Sequence, residues 1–356
     1  MPTVLVGGIA VDTSAFNFND RSSAVRDIKT ANAVLISLVG LFVTLRIGVR
    51  TLMVRKLFTD DFLIIVAAAF TIALAAVCID ATNSGLGTHV WLLPPAQTFD
   101  IVKICIQRLF VAQVLYACAI AFTKIAIIAS YLRFVQNRSF RIGMYLTTVV
   151  IVSLWVTGIF VTIFQCRPVS GAWDFANKDR TCINFVNYLY ATSAISVATD
   201  IILCAFPCPY LWKLNMPRNQ RIILCLLFGG GVGACIAGIL RISKLQTLRS
   251  MDLTYEVVTC LNLSVIECSL GIVCVSIPPL RPLAVRLFPS ALRTDRSSSA
   301  KSPLHSLSQG WNKRRSERMN TITVEESFTM DESTMSDCEP KNDPTFPHNT
   351  DKRESI

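Results

Sequence analysis

Apolar runs of about twenty residues or more follow one another from residue 31 to 284, with little left over between them. They are drawn here as spans over 31–53, 61–83, 105–134, 143–166, 186–211, 221–242 and 256–279. Roughly 20 apolar residues of helix match the ~30 Å hydrocarbon core of a bilayer. Inside lipid only helices and closed barrels satisfy their own backbone groups. The pattern therefore predicts an all-α membrane protein, a seven-transmembrane helix bundle.

The connectors alternate in character. Those at 54–60, 135–142 and 212–220 are short and basic, with Arg55, Lys56, Arg138, Arg141, Lys213 and Arg218. Those at 84–104 and 167–185 are longer and hold Gly, Pro, Trp and paired charges. Positive residues in short loops favour the cytoplasmic side, so the N-terminus is expected outside and the C-terminus in the cytoplasm. Asn137-Arg138-Ser139 has the form of a glycosylation acceptor, but its expected cytoplasmic position predicts no sugar. Three parts follow: a short extracellular segment over 1–30, the bundle over 31–284, and a Ser/Thr-rich tail over 285–356. The tail is expected to be disordered and open to phosphorylation. The start of the chain shows no cleavable signal pattern, and the first span is expected to act as the targeting signal.

Composition sharpens this picture. Of 356 residues, 52% are apolar and 16% charged, against about 25% charged in a soluble domain. The net charge of +10 is concentrated outside the acidic end of the tail. Residues 285–320 carry Arg286, Arg293, Arg296, Lys301, Lys313, Arg314, Arg315 and Arg318 against two acids. Placed just after the last span, such a stretch meets anionic lipid, so the lipid bilayer is the expected partner and nucleic acid is not. Thirteen cysteines include no CxxC, and most fall inside spans, where they act as small buried hydrophobes.

Charges deep in lipid are costly and face the bundle interior. Lys124 in the third span, Asp200 in the fifth and Glu267 in the seventh stand at similar depth. They form either a polar switch that couples helix positions or a clamp that holds three helices together. Arg46 and Arg50, one turn apart near the inner end of the first span, are expected to snorkel to the boundary, with Asp60 and Asp61 as candidate partners. Asp80, His89, Arg108 and Arg241 lie toward outer ends and could line an outward-facing pocket, or serve as ordinary interfacial residues. Cys166 and Cys182 bracket the loop between the fourth and fifth spans. A disulfide between them is a candidate on an oxidising face, with Cys105 as a competing partner for Cys182. Gly229-Gly230-Gly231-Val232-Gly233 in the sixth span permits either bending or close packing.

Missing residues narrow the function. The seventh span, EVVTCLNLSVIECSLGIVCVSIPP, has no lysine for a retinal Schiff base. Only His89, His305 and His348 are present, too few within the spans for zinc or haem. No P-loop, HExxH or GxSxG occurs, so neither catalysis nor a cofactor is expected.

The order of these elements resembles the fungal rhodopsin-domain integral membrane proteins, a seven-helix family with GPCR-like surface-sensing members. The carriers are Asp60-Asp61, Gly85-Leu86-Gly87-Thr88-His89, Lys124-Ile125-Ala126-Ile127, Tyr131-Leu132-Arg133, Phe164-Gln165-Cys166-Arg167-Pro168, Trp173-Asp174 and Cys182. Beyond them come Asp200, Pro207-Cys208-Pro209, Leu211-Trp212-Lys213-Leu214, Arg241, Glu267 and Pro279-Leu280-Arg281-Pro282-Leu283. Receptor-like members with a cysteine-rich extracellular domain differ from this chain, whose residues 1–30 contain no Cys. The resemblance implies a multi-pass receptor of the plasma membrane. It would sense a small extracellular ligand and signal to a cytoplasmic protein through its loops and tail. A proton-coupled transporter or transport accessory protein, and a structural membrane protein, are the alternatives.

Overall fold

The computed structural model describes residues 3–6, 9–12, 20–94, 97–135, 137–174, 180–207, 218–245 and 252–280, with Leu283 and Arg286. The segments before residue 13, Phe134, residues 218–228 and Leu253 are described by backbone alone. The tail beyond residue 286 and the connector 208–217, with the expectations placed on them, lie outside the described residues.

A short antiparallel hairpin, β1 (Thr3–Val6) and β2 (Ile9–Asp12), precedes the helices. Among the described residues seven long helices then follow: α1 (Val25–Val49), α2 (Thr59–Asn83), α3 (Thr98–Phe134), α4 (Arg138–Ile163), α5 (Phe185–Ala205), α6 (Arg218–Lys244) and α7 (Leu253–Ser276). Between α4 and α5 the two-residue strands β3 (Cys166–Arg167) and β4 (Thr181–Cys182) pair antiparallel, Cys166 opposite Cys182.

Several helices begin before their apolar spans do. α1 starts at Val25, α3 at Thr98 and α4 at Arg138, against 31, 105 and 143 expected. Hydropathy marks only the part of a helix that lies in lipid, whereas capping decides where the backbone starts to coil. At α4 the Asn137 side chain accepts from the N–H groups of Ser139 and Phe140. At α2 the Asp61 carboxylate accepts from Phe58 N–H at 3.1 Å. α1 gains its extra turn and a half by packing on the connector after α2. There Gly87 has φ +89°, and a Cβ on it would meet Ile28 Cδ1 at 2.9 Å, so only glycine lets the two segments close up. α5 stops at Ala205, short of 211: Phe206 keeps helical φ/ψ and donates its N–H to the Ile202 carbonyl, but Pro207, which follows it, has no N–H to continue the ladder.

α1, α2, α3, α4, α5 and α7 are each long and apolar enough to cross a membrane, among the described residues. Their outward faces carry Leu41, Phe62, Leu146, Val149, Phe160 and Ile201, all exposed. A soluble protein would bury such a surface; lipid takes it here. The chain folds as an all-α membrane bundle. Its centre is α7, whose apolar window is 61% buried, against 17% for the peripheral α4. α7 packs on α1, α2, α3 and α6, and Val265, Cys268 and Ile272 along it are fully enclosed. The glycines of α6 serve close approach: a Cβ on Gly230 would strike Cys274 Sγ, and one on Gly231 would strike Cys204 Sγ. α6 runs unbroken through them.

Candidate functional site

Lys124 projects from the C-terminal third of α3 toward α5. Its ammonium meets Ser196 O at 2.7 Å, Ser196 Oγ and Thr199 Oγ1 at 2.9 Å, and Asp200 Oδ1 at 2.9 Å. All these α5 groups lie within one turn and a half, so one lysine binds a whole helix face. An ammonium has three donors, and this one has no unmet capacity. Asp200 Oδ2, by contrast, is buried with no hydrogen-bond partner.

Glu267 does not join that pair. Its Oε2 accepts from Tyr116 Oη at 3.1 Å and lies 3.9 Å from Arg241 Nε, while Oε1 has no partner. The Arg241 guanidinium sits 4.4 Å from the centre of the Tyr116 ring, a cation–π contact, and Nη2 donates to Ser193 Oγ at 3.0 Å. The sequence grouped Arg241 with an outer pocket because it lies close to the end of α6. A helical Cα–Cβ bond tilts toward the N-terminus, so an arginine near a helix C-terminus reaches back toward mid-depth. Lys124–Asp200 and Arg241–Glu267 thus form two ion pairs linking α3 to α5 and α6 to α7.

The other residues assigned to an outer pocket separate. Asp80 and Arg108 pair at 3.0 Å between α2 and α3, both half exposed. His89 is buried and forms a clasp instead. Its Nδ1 is 2.5 Å from Asp252 Oδ2, its Nε2 lies 3.1 Å from Ser22 Oγ, and its ring stacks between Trp91 and Tyr255. Val90 N–H donates to Asp252 Oδ1 and Trp91 Nε1 to the Asp20 carbonyl. The clasp fastens the segment before α1 to the connector after α2 and to the start of α7. The Ser22 amide, donating to Asp20 Oδ1 at 2.9 Å, holds the Asp20 carboxyl below its ordinary range.

Cys166 and Cys182 form a disulfide across β3 and β4. Cys105 is elsewhere, its thiol donating to the Ser84 carbonyl. The hairpin rests on the first turns of α3, where Lys103 pairs with Asp174 at 3.3 Å and Phe110 meets the Trp173 ring edge-on.

Between this hairpin and the two ion pairs lies a cavity of about 340 Å³, within the size range of small-molecule sites. Gln165 and Ala172 of the hairpin region line one end, Lys124 and Thr199 the other, with Arg241 and Trp155 on the walls. α3, α4, α5, α6 and α7 all contribute. The acids Asp200 and Glu267 stand behind their cations rather than in the lining.

At the opposite end of the bundle is a second charged cluster. Arg46 is fully buried and meets Asp60 at 2.5 Å, Asp61 at 2.8 Å and the Val275 carbonyl of α7. Arg50 lies 3.6 Å from Asp60 and 3.4 Å from Asp61. The expected snorkelling is replaced by an inward turn, because two adjacent carboxylates on the first turn of α2 neutralise both arginines. Arg133 of α3 adds a contact to Asp60 at 3.8 Å and stacks 3.4 Å over the Phe58 ring. Sequence reading did not connect Arg133 with this cluster, although its position at the end of α3 was a signal. Among the described residues no group of three His, Cys, Asp or Glu converges as a metal site.

Comparison with known proteins adds the following. The family model of the fungal rhodopsin domain matches residues 45–286. A SAT4 family membrane protein of Emericella nidulans is 29% identical over 231 residues, 63% of this chain and 56% of that protein. The polyenoic acids biosynthesis gene cluster protein Ba17b of Metarhizium anisopliae is 27% identical over 267 residues, 72% of each. Receptor GIN3 of Arthrobotrys oligospora is 22% identical over 204 residues, 56% of this chain and 48% of that receptor. The chain therefore spans little more than half of the first of these proteins and about half of the receptor. No solved structure matches the chain.

Proposed function

The chain belongs to the fungal rhodopsin domain family, an integral multi-pass membrane protein, and on that premise we propose that it is a receptor-like protein of the plasma membrane. All seven helices cross the bilayer, the disulfide hairpin faces outward, and the Arg46–Asp60 cluster faces the cytoplasm. A small extracellular ligand enters beneath the hairpin and occupies the cavity. There it acts on Lys124–Asp200 and Arg241–Glu267 and so biases how α3, α5, α6 and α7 pack. The opposite cluster ties α1, α2, α3 and α7 together, where the loops and tail meet a cytoplasmic signalling protein.

The observation that carries this reading is the cavity itself, which runs from the hairpin region to Lys124 and touches one member of each buried ion pair. A ligand there contacts the groups that hold four helices in register. No retinal is involved, since α7 has no lysine. Receptor GIN3 is named for a receptor, and Ba17b for a cluster that makes polyenoic acids; both names suit a site for a small metabolite.

A second reading, proton-coupled transport, draws on the unpartnered oxygens Asp200 Oδ2 and Glu267 Oε1. Reconstitution separates the two. A receptor binds its ligand in proteoliposomes without moving it, and Asp200→Asn silences cellular output while the protein still reaches the membrane. Ligand flux driven by a proton gradient and abolished by the same substitution would replace the receptor reading with transport.

A further inference from the structure

Arg241 is a buried cation whose hydrogen-bonding capacity is mostly unmet. A guanidinium carries five N–H donors in a planar fork and stays charged. Here Nη2 has Ser193 Oγ, but Nε is buried with no hydrogen-bond partner. The nearest acid oxygen, Glu267 Oε2, stands at 3.9 Å, an ion pair beyond hydrogen-bond reach. No described residue accepts from Nη1. Lys124, in the same cavity wall, is the contrast: four oxygens crowd its three donors. One cation is saturated and the other is not.

The surroundings fit one kind of occupant. Beyond Ser193 and Tyr116, which touch Arg241, much of the cavity lining is apolar, with Ile120, Leu261 and Val257 and the aromatic rings of Phe110 and Trp155. The Gln113 side-chain amide also lines it and has no partner among the described residues. Unmet donors in an apolar site are costly, and a carboxylate matches the guanidinium fork with two parallel bonds.

We propose that the cavity binds a small amphipathic monocarboxylic acid, its carboxylate on Arg241 and its apolar body along Phe110 and Trp155. The proposal rests on the receptor-like reading only in taking the cavity as a ligand site. Glu267 need not leave, because Tyr116 Oη holds it at 3.1 Å and it makes no hydrogen bond with Arg241. A polyanion is disfavoured, since its further charges would find Lys124 already saturated by α5.

The probe is cis-parinaric acid, a polyene acid that fluoresces when shielded from water, with its methyl ester as the neutral match. Full-length protein in nanodiscs is titrated with each, reading energy transfer from Trp155 as the difference between the wild type and Trp155→Phe. The acid should bind at least ten-fold more tightly than the ester. Arg241→Lys keeps the charge beside Glu267 but loses the fork, and should weaken the acid at least ten-fold while leaving the ester unchanged. The double variant Arg241→Gln/Glu267→Gln, which leaves no buried charge uncompensated, should show the same loss. If the ester binds as tightly as the acid, or Arg241→Lys binds the acid like the wild type, the carboxylate assignment is overturned while the cavity remains a ligand site. If neither probe gives a Trp155-dependent signal, the acid assignment falls and the cavity loses its support as a ligand site as well.

Discussion

Lys124 on α3 and Asp200 on α5 form a buried ion pair at 2.9 Å, and the lysine is held as well by Ser196 and Thr199. Four contacts on one face of α5 make this lysine the principal polar tie between the two helices. Removing one partner of a buried pair leaves an uncompensated charge, at a cost of about 3–5 kcal/mol. Replacing both by apolar groups avoids that cost. Lys124→Met should therefore be strongly destabilising, and Lys124→Met/Asp200→Leu should recover most of the loss. Thermal unfolding of the three proteins in detergent checks the order. A double variant no more stable than the single would show that the contacts to Ser196 and Thr199 matter more than the charges.

At the other end of the bundle Arg46 and Arg50 share the same two carboxylates unequally. Arg46 donates hydrogen bonds to Asp60, Asp61 and the Val275 carbonyl, while Arg50 stands in ion pairs at 3.4 and 3.6 Å and its Nε makes no hydrogen bond. Arg46→Met should cost about 3–5 kcal/mol, and Arg50→Met closer to 1 kcal/mol. Melting temperatures in the same detergent rank them, and equal losses would contradict the asymmetry.

Much of this was legible in the sequence, and the exceptions share a cause. The number and order of helices follow from apolar runs, and the three mid-depth charges stand out because lipid makes them rare. The partners of those charges depend on how helices rotate about their axes and on where long side chains reach. Arg241 was placed outward by its position along α6, yet its stem returns to Glu267. His89 was placed in a pocket by its loop, yet stacking between Trp91 and Tyr255 draws it into a clasp. Residues 163 positions apart, such as His89 and Asp252, leave no local signature of their pairing.

That clasp gives a local prediction. His89→Phe retains an aromatic ring between Trp91 and Tyr255 but removes the polar tie to Asp252 and Ser22. The Ala24 amide, donating to the Gly87 carbonyl, and the Gly87 amide, donating to Thr254, should then exchange hydrogen faster. Mid-bundle amides should be unaffected. Unchanged exchange at both positions would mean that stacking alone fastens the segment.

The Cys166–Cys182 disulfide spans 16 residues of sequence. Loop-closure entropy for that length is worth about 3 kcal/mol. Cys166→Ser/Cys182→Ser should lower the unfolding midpoint accordingly, while Cys105→Ser, whose side chain packs in the core cluster of Ile28, Ala81 and Leu86 and donates to the Ser84 carbonyl, should not change the hairpin. Equal effects of the two would place Cys105 in the same structural unit.

The central claim is that the cavity between α3, α4, α5, α6 and α7 is where a small molecule acts. Ala117 lines it on α3 and belongs to neither ion pair, so Ala117→Phe fills the space without touching the charges. The most direct measurement is a thermal-shift screen of purified wild type and Ala117→Phe against one library of small amphipathic molecules. The account predicts compounds that stabilise the wild type by several degrees and leave Ala117→Phe unmoved. Compounds that shift both proteins alike, or none that shifts the wild type, would contradict it.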